Sequence, residues 1–269
     1  MESSKEQKKQ FLIGLSGPSS SGKTTLARLL RQILPMANIV HQDDFYFKDS
    51  DIPYREVPQR DPDCGAVVRS SHGNVETKSI QDWDCIEAIN ISAMHDALLH
   101  IKETGTLPQL KSIQDQQSVI PGGEVDESVI QELQEQVSSN AAFFKDRLVV
   151  LVDGFMLFTS STEMLMSLFD VKLLLRTTFV EAKRRREARK GYVTIEGYWE
   201  DPPFYVDDVV WPNYVKEHAF LFENGNVEGD YDSEVCANLG INSMPRECEG
   251  NVAQLVKWAV GEIVNHAQK

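Results

Sequence analysis

A glycine- and serine-rich segment near the start of the chain has the residue types that hold a phosphate chain. Residues 17–24 match the pattern G-x-x-x-x-G-K-[ST] at every fixed position, between an apolar run and a helical pattern. Glycines let such a loop turn its backbone N–H groups towards phosphate oxygens, and the following helix adds the positive end of its dipole. The predicted nucleotide-binding residues of this loop are Gly17, Ser19, Ser20, Ser21, Gly22, Lys23, Thr24 and Thr25.

Two side chains of this loop and one distant carboxylate predict how the phosphate charge is balanced. We expect Lys23 to reach the β- and γ-phosphates of ATP and to act in catalysis, and the Thr24 hydroxyl to ligate Mg²⁺. Asp153 follows the apolar run 148–152, where it can hold Mg²⁺ directly or through water. The alternative for Asp153 is a solvated carboxylate in a turn with Gly154.

Two adjacent carboxylates follow the second predicted strand. Transfer of phosphate to a hydroxyl needs a carboxylate that orients the hydroxyl and accepts its proton, and Asp43 or Asp44 could do this. If the chain stays extended there, the two side chains point in opposite directions. Helix capping or plain surface charge is the alternative for the pair.

A basic cluster lies on the predicted helix 180–190. Its members are Lys183, Arg184, Arg185, Arg186 and Arg189. In an acidic protein, such a cluster indicates closure over phosphates, where guanidinium groups stabilise the charge in transfer. The alternative is a solvated face on which Glu181 and Glu187 pair with these cations.

Aromatic residues near acidic ones could form a second pocket. Trp83 and Asp84 open a predicted helix, so Asp84 could be the N-terminal cap of that helix. The alternative is that the Trp83 ring stacks on a base and Asp84 binds the ribose hydroxyls. Further aromatics crowd the late loop and are expected mostly to pack. These are Tyr198, Trp199, Tyr205, Trp211 and Tyr214.

Strand patterns alternate with helical ones along the chain. The predicted strands are 11–16, 38–41, 148–152, 171–175 and 219–222, and the predicted helices are 24–34, 83–101, 180–190 and 252–264. This order favours an α/β fold of the P-loop NTPase type, a three-layer αβα sandwich with a five-stranded parallel sheet and a mobile lid. In such sheets, ligands bind beyond the carboxyl ends of the strands.

Three polar segments interrupt this pattern. We predict a single domain over residues 1–269, with a lid at about 184–212 and insertions at about 48–80, 103–146 and 224–250. Because residues 110–140 are rich in polar side chains, we expect them to contribute little to the core.

The net charge of −14 argues against a nucleic-acid partner, because proteins that grip a nucleic-acid backbone usually carry a basic surface. No run of 18 apolar residues occurs, so no membrane span is expected. The first ten residues lack the hydrophobic core of a signal peptide. We therefore expect a cytoplasmic protein, with the nucleus as an alternative, whose partners are small molecules.

Several segments together resemble the nicotinamide riboside kinases, close relatives of the uridine kinases. Besides the loop at 17–25, they are Gln-Asp-Asp-Phe-Tyr-Phe at 42–47, Trp-Asp at 83–84, Val-Asp-Gly-Phe-Met-Leu-Phe at 152–158, Lys-Arg-Arg-Arg-Glu-Ala-Arg at 183–189 and Val-Trp-Pro-Asn-Tyr at 210–214. The resemblance covers roughly residues 11–47, 82–101 and 148–223 and suggests a fungal-type member with insertions.

The resemblance implies a role for each matching residue. Asp43 would be the catalytic carboxylate, and Thr24 and Asp153 the magnesium side of the site. The substrate-binding residues would be the aromatic walls Trp83 and Tyr192, the ribose ligands Asp84 and Arg186, and Asp43 itself. Arg185 and Arg189 would be lid residues near the nucleotide phosphates.

The implied reaction is ATP-dependent phosphorylation of the 5′-hydroxyl of nicotinamide riboside, and of nicotinic acid riboside as a second substrate, feeding NAD synthesis. One alternative is a uridine/cytidine kinase, which would share the loop, the carboxylate and the lid and differ in the base pocket. The other is a nucleotide-binding regulatory protein without transferase activity. The pairing of Asp43 with an arginine cluster argues against that alternative, because a binder needs neither.

Overall fold

A parallel sheet, built around two apolar strands, forms the centre of the computed structural model. The structure describes residues 9–61, 63–108, 112, 125–189, 191–194 and 196–269. The strands are β1 (Lys9–Ser16), β2 (Ala37–His41), β3 (Tyr54–Pro58), β4 (Thr77–Gln81), β5 (Arg147–Asp153), β6 (Val171–Leu174), β7 (Tyr192–Val193), β8 (Tyr198–Trp199) and β9 (Ile241–Ser243). The helices are α1 (Lys23–Ile33), α2 (Ile91–Thr104), α3 (Glu127–Ser138), α4 (Ala141–Phe144), α5 (Glu163–Met166), α6 (Phe179–Glu187), α7 (Trp211–His218), α8 (Ser233–Leu239) and α9 (Val252–Ala267).

The main sheet has five strands in the order β2-β5-β1-β6-β9, and all its neighbours are parallel. In this register Leu15 of β1 and His41 of β2 both lie beside Asp153, the last residue of β5. The carboxyl ends of three strands therefore meet at one edge, where the sequence predicted the ligands to gather.

The side chains of successive residues in the central strands point into cores on opposite faces of the sheet, because side chains alternate along a strand. Phe11 and Ile13 pack with α1, α3 and α9, whereas Leu12 and Val150 pack with α2 and α5 on the other face. Both faces are covered, which explains why β1 and β5 are nearly continuous apolar runs. The predicted three-layer αβα sandwich with a five-stranded parallel sheet is confirmed, and the mobility of the lid stays a prediction.

The fifth strand is not where the sequence predicted it. Ala219–Leu221 forms a 3₁₀ turn instead of a strand. The edge position of the sheet is taken by β9, which lies within the predicted insertion 224–250. β9 has only three residues, with sequence Ile-Asn-Ser, so it carries no apolar pattern. An edge strand needs burial on fewer sides than a central one, and this is why its sequence can be polar.

The predicted insertion 103–146 also contributes to the core, contrary to expectation for 110–140. Ile130, Leu133 and Val137 of α3 are buried against α1 and α9. They recur at a spacing of three and four residues, which gives one apolar stripe on an otherwise polar helix. Residues 109–111 and 113–124 of this segment lie outside the described residues.

Residues 48–80, predicted to be an insertion, contain most of an antiparallel hairpin. β3 pairs with β4 from Tyr54 opposite Gln81 to Pro58 opposite Thr77. Half of its ten strand residues are exposed and only Val57 is buried, so the apolar alternation that marks a half-buried strand is weak. The hairpin ends at Gln81, two residues before Trp83.

The helix predicted from residue 83 begins eight residues later. Asn90 caps α2 by accepting a hydrogen bond from the Ala93 amide at 2.9 Å. Trp83 and Asp84 precede it in a turn, so Asp84 is not the cap of this helix. Among the residues that the structure describes, no helix has the length and apolarity to cross a membrane.

Candidate active site

The phosphate-binding loop joins β1 to α1 and has the backbone shape that its glycines allow. Gly17 has φ +144°, and a Cβ there would lie 2.5 Å from the Leu175 carbonyl oxygen. Gly22 has φ +98°, directly before the first residue of α1. The hydroxyls of Ser20 and Ser21 are buried and have no hydrogen-bond partner among the described residues. Unpaired buried donors beside a helix N-terminus fit a phosphate group.

Lys23 lies inside this loop. Its ammonium donates to the carbonyl oxygens of Gly17 at 3.0 Å and Pro18 at 2.9 Å. Burial lowers the Lys23 pKa to about 8, although the charges of Asp153 and Asp43 act in the opposite direction. The ammonium lies at the carboxyl edge of the sheet, in the same cleft as the carboxylates of Asp153 and Asp43.

Asp153 lies opposite the loop, as the strand order predicted. Its Oδ2 accepts a hydrogen bond from the Thr24 hydroxyl at 2.5 Å and lies 3.2 Å from Nδ1 of His41. Burial alone would raise the Asp153 pKa, but the His41 hydrogen bond and the Lys23 charge lower it below its ordinary value. For His41, burial lowers the pKa and the Asp153 partner more than reverses this. The result is an ionised carboxylate beside a hydroxyl, two hard oxygen donors.

Asp43 and Asp44 do not follow an extended chain. Residues Gln42–Phe45 form a 3₁₀ turn immediately after β2, so the alternation expected for a strand does not apply. Asp43 lines the main cleft with Lys23 and Asp153, whereas Asp44 does not. Burial and the Asp153 charge raise the Asp43 pKa to about 6, which is well suited to a group that accepts a proton near neutral pH.

Aromatic rings surround the other end of this cleft. Trp83 and Tyr192, the two predicted walls, both line it, together with Tyr46, Phe155 and Trp199. The Trp83 ring contacts Tyr46 edge-on at 5.5 Å between centroids and Trp199 at 5.7 Å. The Tyr46 hydroxyl donates to the Trp83 carbonyl at 2.9 Å, which fixes the Trp83 backbone.

Asp84 and Arg186, the predicted ribose ligands, line the cleft and are paired with each other. Arg186 Nη1 donates to Asp84 Oδ1 at 2.6 Å and Nη2 to Oδ2 at 2.8 Å. Arg186 also binds Asp201, which sequence reasoning did not single out. The pair joins the turn before α2 to the lid helix α6.

Arg185 and Arg189, the other two arginines predicted to act in the lid, have contacts that fit both the phosphate role and the solvated-face alternative. Arg185 pairs with Glu181 at 2.6 Å, as the solvated-face alternative expected, yet it also donates to the Ser20 carbonyl oxygen at 3.2 Å. Arg189 lies over the Tyr192 ring, with 5.6 Å from its guanidinium carbon to the ring centroid. Both arginines line a second cavity, on the other side of the phosphate loop.

This second cavity shares Ser20, Gly22, Thr25 and Arg189 with the main cleft. Its far wall comes from residues 176–178 after β6 and from the segment 248–252 that leads into α9. The phosphate loop therefore lies between two cavities, and a phosphate chain lying on the loop could extend into both.

Sequence reasoning missed several residues of the site. His41 ends a strand beside Asp153 and could have been found by the same strand-end argument. Tyr46 and Phe155 lie within quoted motifs, but nothing in the pattern distinguished them from core aromatics. Asp201 and Thr194 lie in the lid, where irregular backbone leaves no periodicity to interpret.

Comparison with known proteins identifies the family, although no family model matches the chain. The chain is 34% identical over 262 residues to the nicotinamide riboside kinase of Schizosaccharomyces pombe, which covers 97% of this chain and 99% of the relative. It is 34% identical to the Saccharomyces cerevisiae nicotinamide riboside kinase over 96% of this chain and 97% of the relative. Human nicotinamide riboside kinase 1 is 27% identical over 77% of this chain and 76% of the relative. The resemblance inferred from the motifs is confirmed, and the chain belongs to the nicotinamide riboside kinase family.

Proposed function

We propose that the protein transfers the γ-phosphate of ATP to the 5′-hydroxyl of nicotinamide riboside and so supplies the mononucleotide for NAD synthesis. The observation that carries this proposal is the position of the phosphate loop between two cavities, with Asp43 in the cavity that has aromatic walls. Membership of the family supports the same reaction. Nicotinic acid riboside, which keeps the ring and the ribose, is the expected second substrate.

The second cavity is the proposed site for the ATP base and ribose. From there the phosphates would cross the loop. The Ser20 and Ser21 hydroxyls, which have no hydrogen-bond partner in the described part of the chain, and the backbone N–H groups can donate to their oxygens. Arg185 and Arg189 lie on the lid side of this path and supply positive charge. A guanidinium beside a transferring phosphoryl group stabilises its charge in the transition state.

The nucleoside is proposed to bind in the main cleft. Trp83 and Tyr192 would hold the pyridine ring between them, because a cationic aromatic ring is attracted to electron-rich aromatic faces. Asp84 would accept hydrogen bonds from the ribose hydroxyls at the same end of the cleft. This arrangement would direct the 5′-hydroxyl towards Asp43 and the phosphate loop.

Asp43 is the proposed group that orients the 5′-hydroxyl and accepts its proton. With a pKa of about 6, it is mostly ionised at neutral pH and remains basic enough to take a proton. Lys23 would neutralise charge on the β- and γ-phosphates as the transferred group leaves.

The residues at the sheet edge fit a magnesium ion. Mg²⁺ prefers oxygen ligands and is usually held by one or two protein groups plus substrate phosphates. Thr24 Oγ1 and Asp153 Oδ2 offer such a pair, held together by a hydrogen bond and by the His41 contact behind the carboxylate. When bound, the ion would supply positive charge against the negative charge of the phosphates, and Thr24 and Asp153 would hold it.

The deciding experiment is a phosphorylation assay across nicotinamide riboside, nicotinic acid riboside, uridine and cytidine, with ADP formation and the phosphorylated nucleoside both measured. We expect the two pyridine ribosides to be the preferred acceptors. Preference for uridine or cytidine would identify a pyrimidine nucleoside kinase instead. Absence of riboside-dependent ADP formation would leave a nucleotide-binding protein without transferase activity.

A further inference from the structure

Arg186 has every one of its hydrogen-bond donors occupied. A guanidinium has five N–H groups, and those of Arg186 are directed at three side chains. Nε and Nη2 donate to the two oxygens of Asp201 at 2.6 and 3.1 Å, Nη1 and Nη2 donate to Asp84 at 2.6 and 2.8 Å, and Nη1 donates to the Ser19 hydroxyl at 3.0 Å. A ribose hydroxyl could bond to this arginine only by displacing one of these partners.

The faces of the guanidinium are also covered. The Tyr192 ring lies 5.1 Å and the Tyr205 ring 5.4 Å from its central carbon, and the side chain is 6% exposed. This environment holds Arg186 in one conformation. Its main effect on a nucleoside is therefore exerted through the carboxylate of Asp84, which faces the cleft.

Asp201 contacts this arginine from outside the cleft. It does not line the cleft itself, but Arg186 and Trp199 do, and Asp201 binds both: its Oδ1 accepts from Trp199 Nε1 at 2.8 Å. Trp199 in turn packs on the Trp83 wall. The carboxylate of Asp201 thus holds both Arg186 and Trp199 at the end of the cleft proposed for the nucleoside.

The charges of this cluster do not cancel. Two carboxylates, Asp84 and Asp201, oppose one guanidinium, so one negative charge is in excess. The nearby cations Lys23 and Arg189 are assigned above to the nucleotide phosphates. An uncompensated charge at a poorly solvated site acts more strongly than at a surface, and it attracts a ligand of opposite charge.

We propose that Asp201 determines specificity: held beside the nucleoside end of the cleft by Arg186 and Trp199, its negative charge favours a nucleoside with a cationic ring over a neutral one. The inference rests on the proposed function, because the pyridinium ring of nicotinamide riboside is such a cation. The uncharged counterpart of closest shape is the reduced riboside, whose dihydropyridine ring lacks the positive charge.

The test compares Asp201→Asn with two matched variants. Asp201→Glu keeps the charge, and Asp207→Asn removes an equal charge from the same lid segment at a residue that pairs with Lys183 at 2.7 Å, outside the cleft. For each variant, KM for nicotinamide riboside and the inhibition constant of the reduced riboside are measured at saturating ATP. The constant for the uncharged riboside reports whether the cleft itself is intact.

We expect Asp201→Asn to raise KM for the cationic riboside about tenfold and to change the constant for the uncharged one less than about twofold. Asp201→Glu should keep the preference for the cation, and Asp207→Asn should behave as wild type. Equal weakening of both ligands by Asp201→Asn, or no change in either, overturns the proposal. If the wild-type enzyme transfers no phosphate to nicotinamide riboside, the proposed function fails first, and the inference with it.

Discussion

The hydroxyl of Thr24 donates a hydrogen bond of 2.5 Å to Asp153, joining the first turn of α1 to the last residue of β5. The bond connects residues 129 positions apart, and the parallel register of β1 with β5 brings them together. Two oxygen donors thus meet on regular elements rather than on loops. We expect their geometry to be well held, as a metal site requires.

The first prediction concerns magnesium. Thr24→Ala should raise the Mg²⁺ concentration for half-maximal activity about tenfold, because one oxygen donor is lost and metal sites are sensitive to such changes. Thr24→Ser, which retains the hydroxyl, should remain near wild type. Activity titrated with Mg²⁺ at fixed ATP measures both variants, and an unchanged requirement in Thr24→Ala would remove Thr24 from the metal site.

The second prediction is the pH dependence of kcat/KM for ATP. Asp43 must be ionised to accept a proton, so activity should fall as the pH drops through its pKa of about 6. Lys23 must be protonated to hold phosphate, so activity should also fall as the pH rises through about 8. The alkaline loss should be absent from kcat, because bound phosphates keep the ammonium charged. A flat profile between pH 5 and 7 would contradict the role of Asp43.

An element or a site residue could be predicted from the sequence only where a continuous stretch of residues carries a recognisable pattern. The phosphate loop is a continuous motif, and β5 is buried on both faces, so both were predictable from their residues alone. β9 and the hairpin β3–β4 were not, because an edge strand and a half-exposed hairpin carry little apolar pattern. The contact of Asp84 with Arg186 spans 102 positions, and only the resemblance to a family, not periodicity, suggested that both act at one site.

The third prediction corrects the expectation for residues 110–140. Leu133 of α3 is 2% exposed in the core formed with α1 and α9, so Leu133→Ala should lower the free energy of unfolding by about 2–5 kcal/mol. Gln131→Ala, at an exposed position of the same helix, should change it by less than about 0.5 kcal/mol. Urea unfolding followed by circular dichroism measures both. Equal stability of the two variants would show that α3 does not pack as described.

The last prediction separates Asp43 from Asp44. Both lie in the 3₁₀ turn after β2, but only Asp43 lines the cleft with Lys23 and Asp153. Asp43→Asn should therefore lower kcat for nicotinamide riboside by about 10²-fold or more while ATP affinity survives, because proton acceptance is lost and phosphate binding is not. Asp44→Asn, an equal change of charge one residue away, should have a much smaller effect.

Single-turnover phosphorylation gives the rates, and titration of ATP checks the affinity. If Asp44→Asn is the inactive variant, the turn presents the other carboxylate to the substrate, and if both variants stay active, the proton is accepted by a different group.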